Sequence, residues 1–117
     1  MIRTRLLAAG ALAALVAATS AQAMTHPKLT GTVGPGFTIT LKKGTTKVTK
    51  IPAGTYTFVI SDKSAIHDFH LIGPVSKLLT TVGFTGSKTV TLTLEKGSYT
   101  YQCDPHSLAM HGTFKVT

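Results

Sequence analysis

The alternation of polar and apolar residues in the second half of the chain constrains the fold most. Residues 89–94 follow a strict two-residue period, which directs Val90, Leu92 and Leu94 to one face of a β-strand. Similar short β-branched runs, separated by Gly and Pro turns, occur at 38–41, 56–60, 98–103 and 112–116. No segment after residue 23 keeps a 3.6-residue period long enough for a confident helix. The pattern predicts an all-β fold, a Greek-key β-sandwich of about seven or eight strands.

Two local features are also predicted. The turn signal Glu95-Lys96-Gly97 separates two strand-like runs, so residues 89–94 and 98–103 are expected to pair as an antiparallel hairpin. A single helical turn is expected at residues 75–79.

The first 23 residues have the features of a secretory signal peptide. Two arginines precede an apolar run over residues 6–18, and an Ala-Gln-Ala cleavage motif ends at Ala23. We therefore expect residues 1–23 to be removed and residues 24–117 to form one domain of an exported protein, periplasmic or extracellular. A retained membrane anchor is the alternative, but the run is short and rich in alanine. The mature chain has no comparable apolar run, so no transmembrane segment is expected there.

The mature region is strongly basic. Ten lysines against four acidic residues give it a net charge of +6 with neutral histidines. The lysines are scattered, and the region lacks arginine, the usual residue for reading bases and gripping phosphates. We therefore expect no nucleic-acid partner, and interpret the charge as a source of solubility and a bias towards acidic partners of a monomeric protein.

The only cysteine lies in a loop with two other potential metal ligands. Cys103 cannot form an internal disulfide, and a free thiol is easily oxidised outside the cytosol. His106 follows three residues later, and Met110 four residues after that. A thiolate, an imidazole and a thioether so close together suit copper, which is held in both Cu(I) and Cu(II) states.

A second histidine would complete a His2Cys trigonal site with a weak axial Met. His67 and His70 are the candidates. In an extended strand His67 shares a face with the apolar Phe69 and Leu71, so it is expected to point towards the core and Cys103. His70 is expected to point the other way unless a bulge intervenes, and His111 is expected to face solvent.

The C-terminal segment resembles the signature of the cupredoxins, the plastocyanin- and azurin-like small blue copper proteins, in the spacing of Cys103, Pro105, His106, Met110 and Gly112. His67-Asp68 is similar to the family's His-Asn at its first ligand. The resemblance covers most of the mature chain and implies a Greek-key sandwich that carries single electrons between redox partner proteins without being an enzyme. It implies one copper ion with four ligands: His67, Cys103, His106 and, in the axial position, Met110.

Two features differ from the family's usual pattern. Three residues separate His106 from Met110, where two or four are common, and Asp68 replaces the usual Asn. The family's side chain at this position ties the two ligand loops together, and its backbone N–H donates to the sulfur. We hypothesise that the Asp68 carboxylate also favours Cu(II) and lowers the reduction potential.

The edge of His106 is expected to reach the surface among Pro105, Leu108 and Ala109. This apolar rim is the predicted docking site for a redox partner.

Other functions compete with electron transfer. A copper storage or delivery protein without a redox circuit could use the same ligands, but only two methionines follow the signal region. A multicopper enzyme would need paired His-x-His motifs, and covalent haem would need a C-x-x-C-H motif; the sequence contains neither. A β-sandwich without metal stays open as well, with Cys103 and Met110 as core residues and His67 as a structural histidine.

Overall fold

A computed structural model describes residues 25–117, so the predicted signal peptide lies outside the described residues. Ten strands follow one another in this part of the chain: β1 (Lys28–Val33), β2 (Ile39–Lys43), β3 (Thr46–Lys47), β4 (Lys50–Ile51), β5 (Gly54–Asp62), β6 (Phe69–Ile72), β7 (Lys77–Thr80), β8 (Gly86–Leu94), β9 (Gly97–Gln102) and β10 (His111–Val116). A short 3-10 helix, Asp104–His106, lies between β9 and β10. Within residues 25–117 no helix is long and apolar enough to cross a bilayer.

The strands form two five-stranded sheets. The first has the order β3-β2-β1-β5-β8 and the second β4-β10-β9-β6-β7. The β1–β5 and β4–β10 pairs are parallel, and the other pairs are antiparallel. The predicted all-β sandwich is therefore confirmed. The strand number exceeds the predicted seven or eight because β3 and β4 contribute two residues each.

The predicted hairpin between residues 89–94 and 98–103 is wrong. β8 pairs with β5 in the first sheet, whereas β9 pairs with β10 and β6 in the second, so the turn after Leu94 crosses between sheets. The Tyr99 hydroxyl fixes this corner, since it donates to the Glu95 carbonyl at 2.8 Å and accepts the Glu95 N–H at 3.1 Å. Each strand keeps its two-residue period, and Leu94 of β8 and Tyr99 and Tyr101 of β9 are buried in the core between the sheets.

The helical turn expected at 75–79 is also wrong. Residues 77–80 form β7, which pairs with β6 and buries Leu79 and Thr80. The weak local preference for a turn of helix is overridden because an extended chain can hydrogen-bond to β6 and cover the core.

Stacked aromatic rings fill the core from the end of the sandwich where β6 begins and β9 ends towards the corner at Glu95. Phe69 stacks on Tyr101 with ring centroids 5.7 Å apart, and Tyr99 stacks on Phe114 at 5.2 Å. All four side chains are buried. Rigid packing here fixes the loops that project from the two strands.

Candidate metal centre

Two neighbouring strands bring His67 and Cys103 to one end of the sandwich. β6 and β9 run antiparallel with His70 opposite Gln102, so the start of β6 lies beside the end of β9. His67 precedes β6 by two residues, and Cys103 directly follows β9. Both side chains are completely buried, as the sequence predicts for His67.

Three donor atoms converge at this end. The Nδ1 atoms of His67 and His106 are 3.2 Å apart, and they lie 3.6 Å and 3.5 Å from the Sγ atom of Cys103. This trio is the one group of His, Cys, Asp and Glu donors within residues 25–117 that is close enough to hold a metal ion.

The triangle of donors has the size of a trigonal metal site. A point equidistant from the three atoms lies about 2.0 Å from each, close to the bond lengths of first-row metals, about 2.0–2.1 Å to nitrogen and about 2.3 Å to sulfur. Two imidazoles and a thiolate in a trigonal arrangement are the donor set that copper electron-transfer sites use. The residues present therefore fit a copper ion.

The His67 ring is held by a carbonyl on the far side from the sulfur. Its Nε2 lies 2.9 Å from the oxygen of Gly36, which can only accept, so Nε2 carries the proton. The Nδ1 lone pair is then free to face the other two donors. Such a hydrogen bond fixes both the tautomer and the ring orientation of a metal-binding histidine.

Hydrogen bonds close the loop from Cys103 to Met110 into a compact turn. The Cys103 N–H donates to the Met110 carbonyl at 3.0 Å, and the Met110 N–H donates to the His106 carbonyl at 2.8 Å. The 3-10 helix places His106 back over Cys103, with Pro105 supplying the fixed φ of its first turn. Met110 is fully buried. Its role as a fourth ligand stays a prediction.

Asp68 connects the two loops. Its Oδ1 accepts a 2.6 Å hydrogen bond from the Asp104 N–H, so the tie expected at this position exists with a carboxylate in place of an amide. Burial raises the pKa of the Asp68 carboxyl above its ordinary value. The hydrogen bond from the Asp104 N–H opposes this rise, and the negative charge of Asp104 adds to it.

The Cys103 sulfur lies in the same hydrogen-bonded environment. Burial raises the pKa of the Cys103 thiol above its ordinary value, and the nearby backbone amides of Asp68 and His106 offset part of that rise. Donation from the Asp68 N–H to the sulfur stays a prediction. A bound metal ion would deprotonate the thiol.

His70 and His111 lie outside the donor triangle. A register shift follows Phe69, yet the His70 ring points away from the core and binds the Asp104 carboxylate at 2.9 Å. Burial acts to raise the pKa of Asp104, but hydrogen bonds from Gln102 and His70 lower it. His111 is exposed, as predicted, and its Nδ1 contacts the Ser107 carbonyl at 2.8 Å.

The β1–β2 loop also contributes to the centre, and its sequence did not predict this. The Phe37 ring stands edge-on to the imidazoles of His67 and His106, with centroids 5.6 Å and 5.0 Å away. Phe37 also joins Pro105, Leu108 and Ala109 around the partly exposed His106, so the predicted apolar rim is larger than expected. Neither Gly36 nor Phe37 has a metal-binding side chain, so their part in the centre is seen only from the position of the loop in the folded protein.

Comparisons with known proteins agree with this centre. The family model for copper binding proteins of the plastocyanin/azurin family matches residues 38–117, which include all four predicted ligands. No curated protein matches the chain closely enough to count as a relative.

Solved structures of copper proteins share the fold. Auracyanin A, a "blue" copper protein from Chloroflexus aurantiacus, is 17% identical over 77% of this chain and 98% of its own, with a TM-score of 0.55. Rusticyanin from Thiobacillus ferrooxidans is 21% identical over 77% of this chain and 76% of its own, with a TM-score of 0.52. The family match covers more than half of the chain, and the donor triangle fits the metal. This protein therefore belongs to the plastocyanin/azurin family of copper binding proteins, and its cofactor is a copper ion.

Proposed function

We propose that the protein is an exported electron carrier with one type 1 copper ion, held by His67, Cys103, His106 and, axially, Met110. The observation that carries the proposal is the convergence of the three donor atoms of His67, Cys103 and His106 within 4.8 Å of one another, in a protein that belongs to a copper-binding family. When bound, copper supplies a one-electron Cu(I)/Cu(II) couple.

The protein's own residues favour rapid electron exchange. The Gly36 carbonyl, the Asp68 carboxylate and the Phe37 ring hold the donors in place from three sides. A rigid donor set changes little between oxidation states, so little reorganisation opposes electron transfer. The partly exposed His106 edge, surrounded by the apolar rim, gives the electron a short route to a redox partner.

Storage or delivery of copper is less well supported by this arrangement. Cys103, His67 and Met110 are all fully buried, and only the His106 ring reaches the surface. A delivery protein needs ligands that another protein can reach and replace. The same burial leaves no space beside the sulfur and His67 for a substrate, which supports a carrier rather than an enzyme.

The test is the visible spectrum after Cu(II) is added to the purified protein. We expect a strong thiolate-to-copper charge-transfer band that disappears in Cys103→Ala and in His67→Ala. His70→Ala is the matched control and should keep the band, since its ring points away from the donors. A weak colour unchanged by Cys103→Ala would reject the copper–thiolate site.

A second measurement separates electron transfer from storage. Cyclic voltammetry of the copper-loaded protein should show a reversible one-electron wave. An irreversible wave, together with rapid loss of copper to a weak chelator, would favour storage or delivery.

Export has its own experiment. The sequence predicts that a bacterial host expressing the full chain will release a protein whose amino-terminal residue is Met24. Retention of residues 1–23 in a membrane fraction would support the anchor alternative.

A further inference from the structure

The surface of the described residues carries far more positive than negative charge. All ten lysines between residues 25 and 117 are exposed, whereas Asp62 and Asp68 are buried, which leaves Glu95 and Asp104 as the exposed acids. Asp104 binds His70, and none of the lysines in this part of the chain forms a salt bridge. Nothing within the described residues therefore neutralises the lysines.

Four of these lysines form two pairs, and the two members of each pair lie directly opposite each other on neighbouring strands. Lys42 faces Lys47 across the β2–β3 pair, and Lys50 faces Lys115 across the β4–β10 pair. Like charges directly opposite in a sheet destabilise it. The two pairs lie close together because residues 47–50 lead directly from β3 to β4. These four lysines therefore form a cluster of like charges whose mutual repulsion does not stabilise the fold.

A groove lies beside this cluster. It has a volume of about 760 Å³, and its walls include Lys47, Thr49 and Lys115. Its floor is the outer face of β9 and β10, where the hydroxyls of Ser98, Thr100 and Thr113 project. No acidic side chain lines it. Ammonium and hydroxyl groups are donors suited to carboxylates.

The groove leads towards the copper centre. His111 lines one end of it and directly follows Met110 in the chain. β9, which forms part of the floor, ends at Gln102, the residue before Cys103. A partner bound in the groove would contact the strand that leads directly to Cys103.

We propose that this lysine-lined groove binds an acidic segment of the protein that exchanges electrons with the copper centre. The expected binding of carboxylates follows from the position of the lysines and hydroxyls in the groove. That the partner is a redox protein rests on the proposed function. A polypeptide segment fits the observations better than a membrane because the site is concave, whereas a bilayer presents a flat surface. Nucleic acid fits poorly, since the groove has no arginine and its aromatic side chains, Tyr99 and Phe114, are buried in the core.

The test uses a fluorescent octaglutamate peptide and the copper-loaded protein at low salt. Binding is followed by anisotropy for the wild type, for Lys47→Glu/Lys115→Glu, and for the control Lys63→Glu/Lys88→Glu. The control has the same change in net charge, but neither of its lysines lines the groove. We expect the groove variant to bind about tenfold more weakly or worse, the control to stay within about twofold, and the wild-type affinity to fall steeply as salt is added.

Two results would overturn the proposal. Equal losses in both double variants would show that net charge, not the groove, attracts the peptide. Tighter binding to vesicles of anionic lipid than to the peptide, lost in the groove variant, would identify a membrane as the partner. The copper spectrum is recorded on the same samples, so failure of the copper centre is seen separately from failure of the groove.

Discussion

The carboxylate of Asp68 accepts a 2.6 Å hydrogen bond from the backbone N–H of Asp104, and so fastens the histidine loop to the cysteine loop. The two residues are thirty-six positions apart in the chain, and each directly follows a predicted ligand. The geometry of the centre therefore depends on one side chain that binds no metal itself.

Asp68→Asn is expected to preserve the tie and raise the reduction potential. An amide oxygen can accept the same N–H, but the negative charge that favours Cu(II) is removed. The shift should be a rise on the order of tens of millivolts, measured by voltammetry. Asp68→Ala removes the acceptor and should lower the free energy of unfolding by about 1–3 kcal/mol. An unchanged potential in the Asn variant would show that the carboxylate does not act on the copper.

Met110→Leu tests the predicted axial ligand. Leucine fills a similar volume, so the unfolding free energy should change by less than about 1.5 kcal/mol. Loss of the thioether weakens the stabilisation of Cu(II), so the reduction potential should rise. If neither the spectrum nor the potential moves, Met110 is a core residue only.

Phe37→Ala should make copper easier to remove. The ring packs against both imidazoles in T-shaped contacts, but it is itself 59% exposed, so its loss should cost less than about 1 kcal/mol of folding stability. We expect a chelator to remove copper several times faster than from the wild type. Leu108→Ala is the control, since Leu108 is 95% exposed on the same rim; equal acceleration in both variants would contradict a covering role for Phe37.

Gly112→Ala should destabilise the fold. A Cβ atom at this position would overlap the ring of Tyr101, which is buried and stacked on Phe69. Overpacking of this kind costs about 1–3 kcal/mol, measurable by urea unfolding. At Gly36 an added Cβ meets nothing within 4 Å, so Gly36→Ala should stay within about 0.5 kcal/mol of the wild type. Its carbonyl is retained, so the bond to His67 should survive.

Stability should fall in alkaline solution. Burial raises the pKa of Tyr56 and of Tyr101, and at Tyr101 a backbone hydrogen bond from Leu41 offsets part of that rise. Above about pH 10, where tyrosine in the unfolded chain ionises, the unfolded state loses protons that the folded state keeps. The stabilisation is therefore complete below pH 10 and is lost as the pH rises through the folded pKa values. Urea unfolding at about pH 8 and about pH 11 should show a smaller decrease in Tyr101→Phe than in the wild type.

The alternation of polar and apolar residues predicted where strands form, but it did not predict which strands pair with each other. The alternation in residues 89–94 correctly predicts β8 and its inward face. It cannot distinguish pairing with β9 in one sheet from pairing with β5 in the other, because both arrangements bury the same residues. The helical turn expected at 75–79 failed for a related reason, since pairing with β6 outweighs a weak local preference.

The candidate centre shows the same division. Cys103 and His106 are close in sequence, so the loop alone brings them within reach of each other. His67 was predicted from the shared face of an extended chain, and the structure places it with them. Gly36 and Phe37 were not predicted, because nothing in their local sequence indicates contact with residues thirty or more positions away.

Residue type and spacing alone predicted an all-β pattern and the chemistry available to this protein: one thiol, one imidazole and one thioether in a single loop, and two further histidines as candidates for a second imidazole. These follow from side-chain type and short-range periodicity, which are local properties. The folded structure was needed to show which carbonyl orients the His67 ring and on which face the lysines of residues 25–117, none of them in a salt bridge, come together. Those outcomes depend on contacts between segments distant in the chain, and the pairing of strands into two sheets sets them.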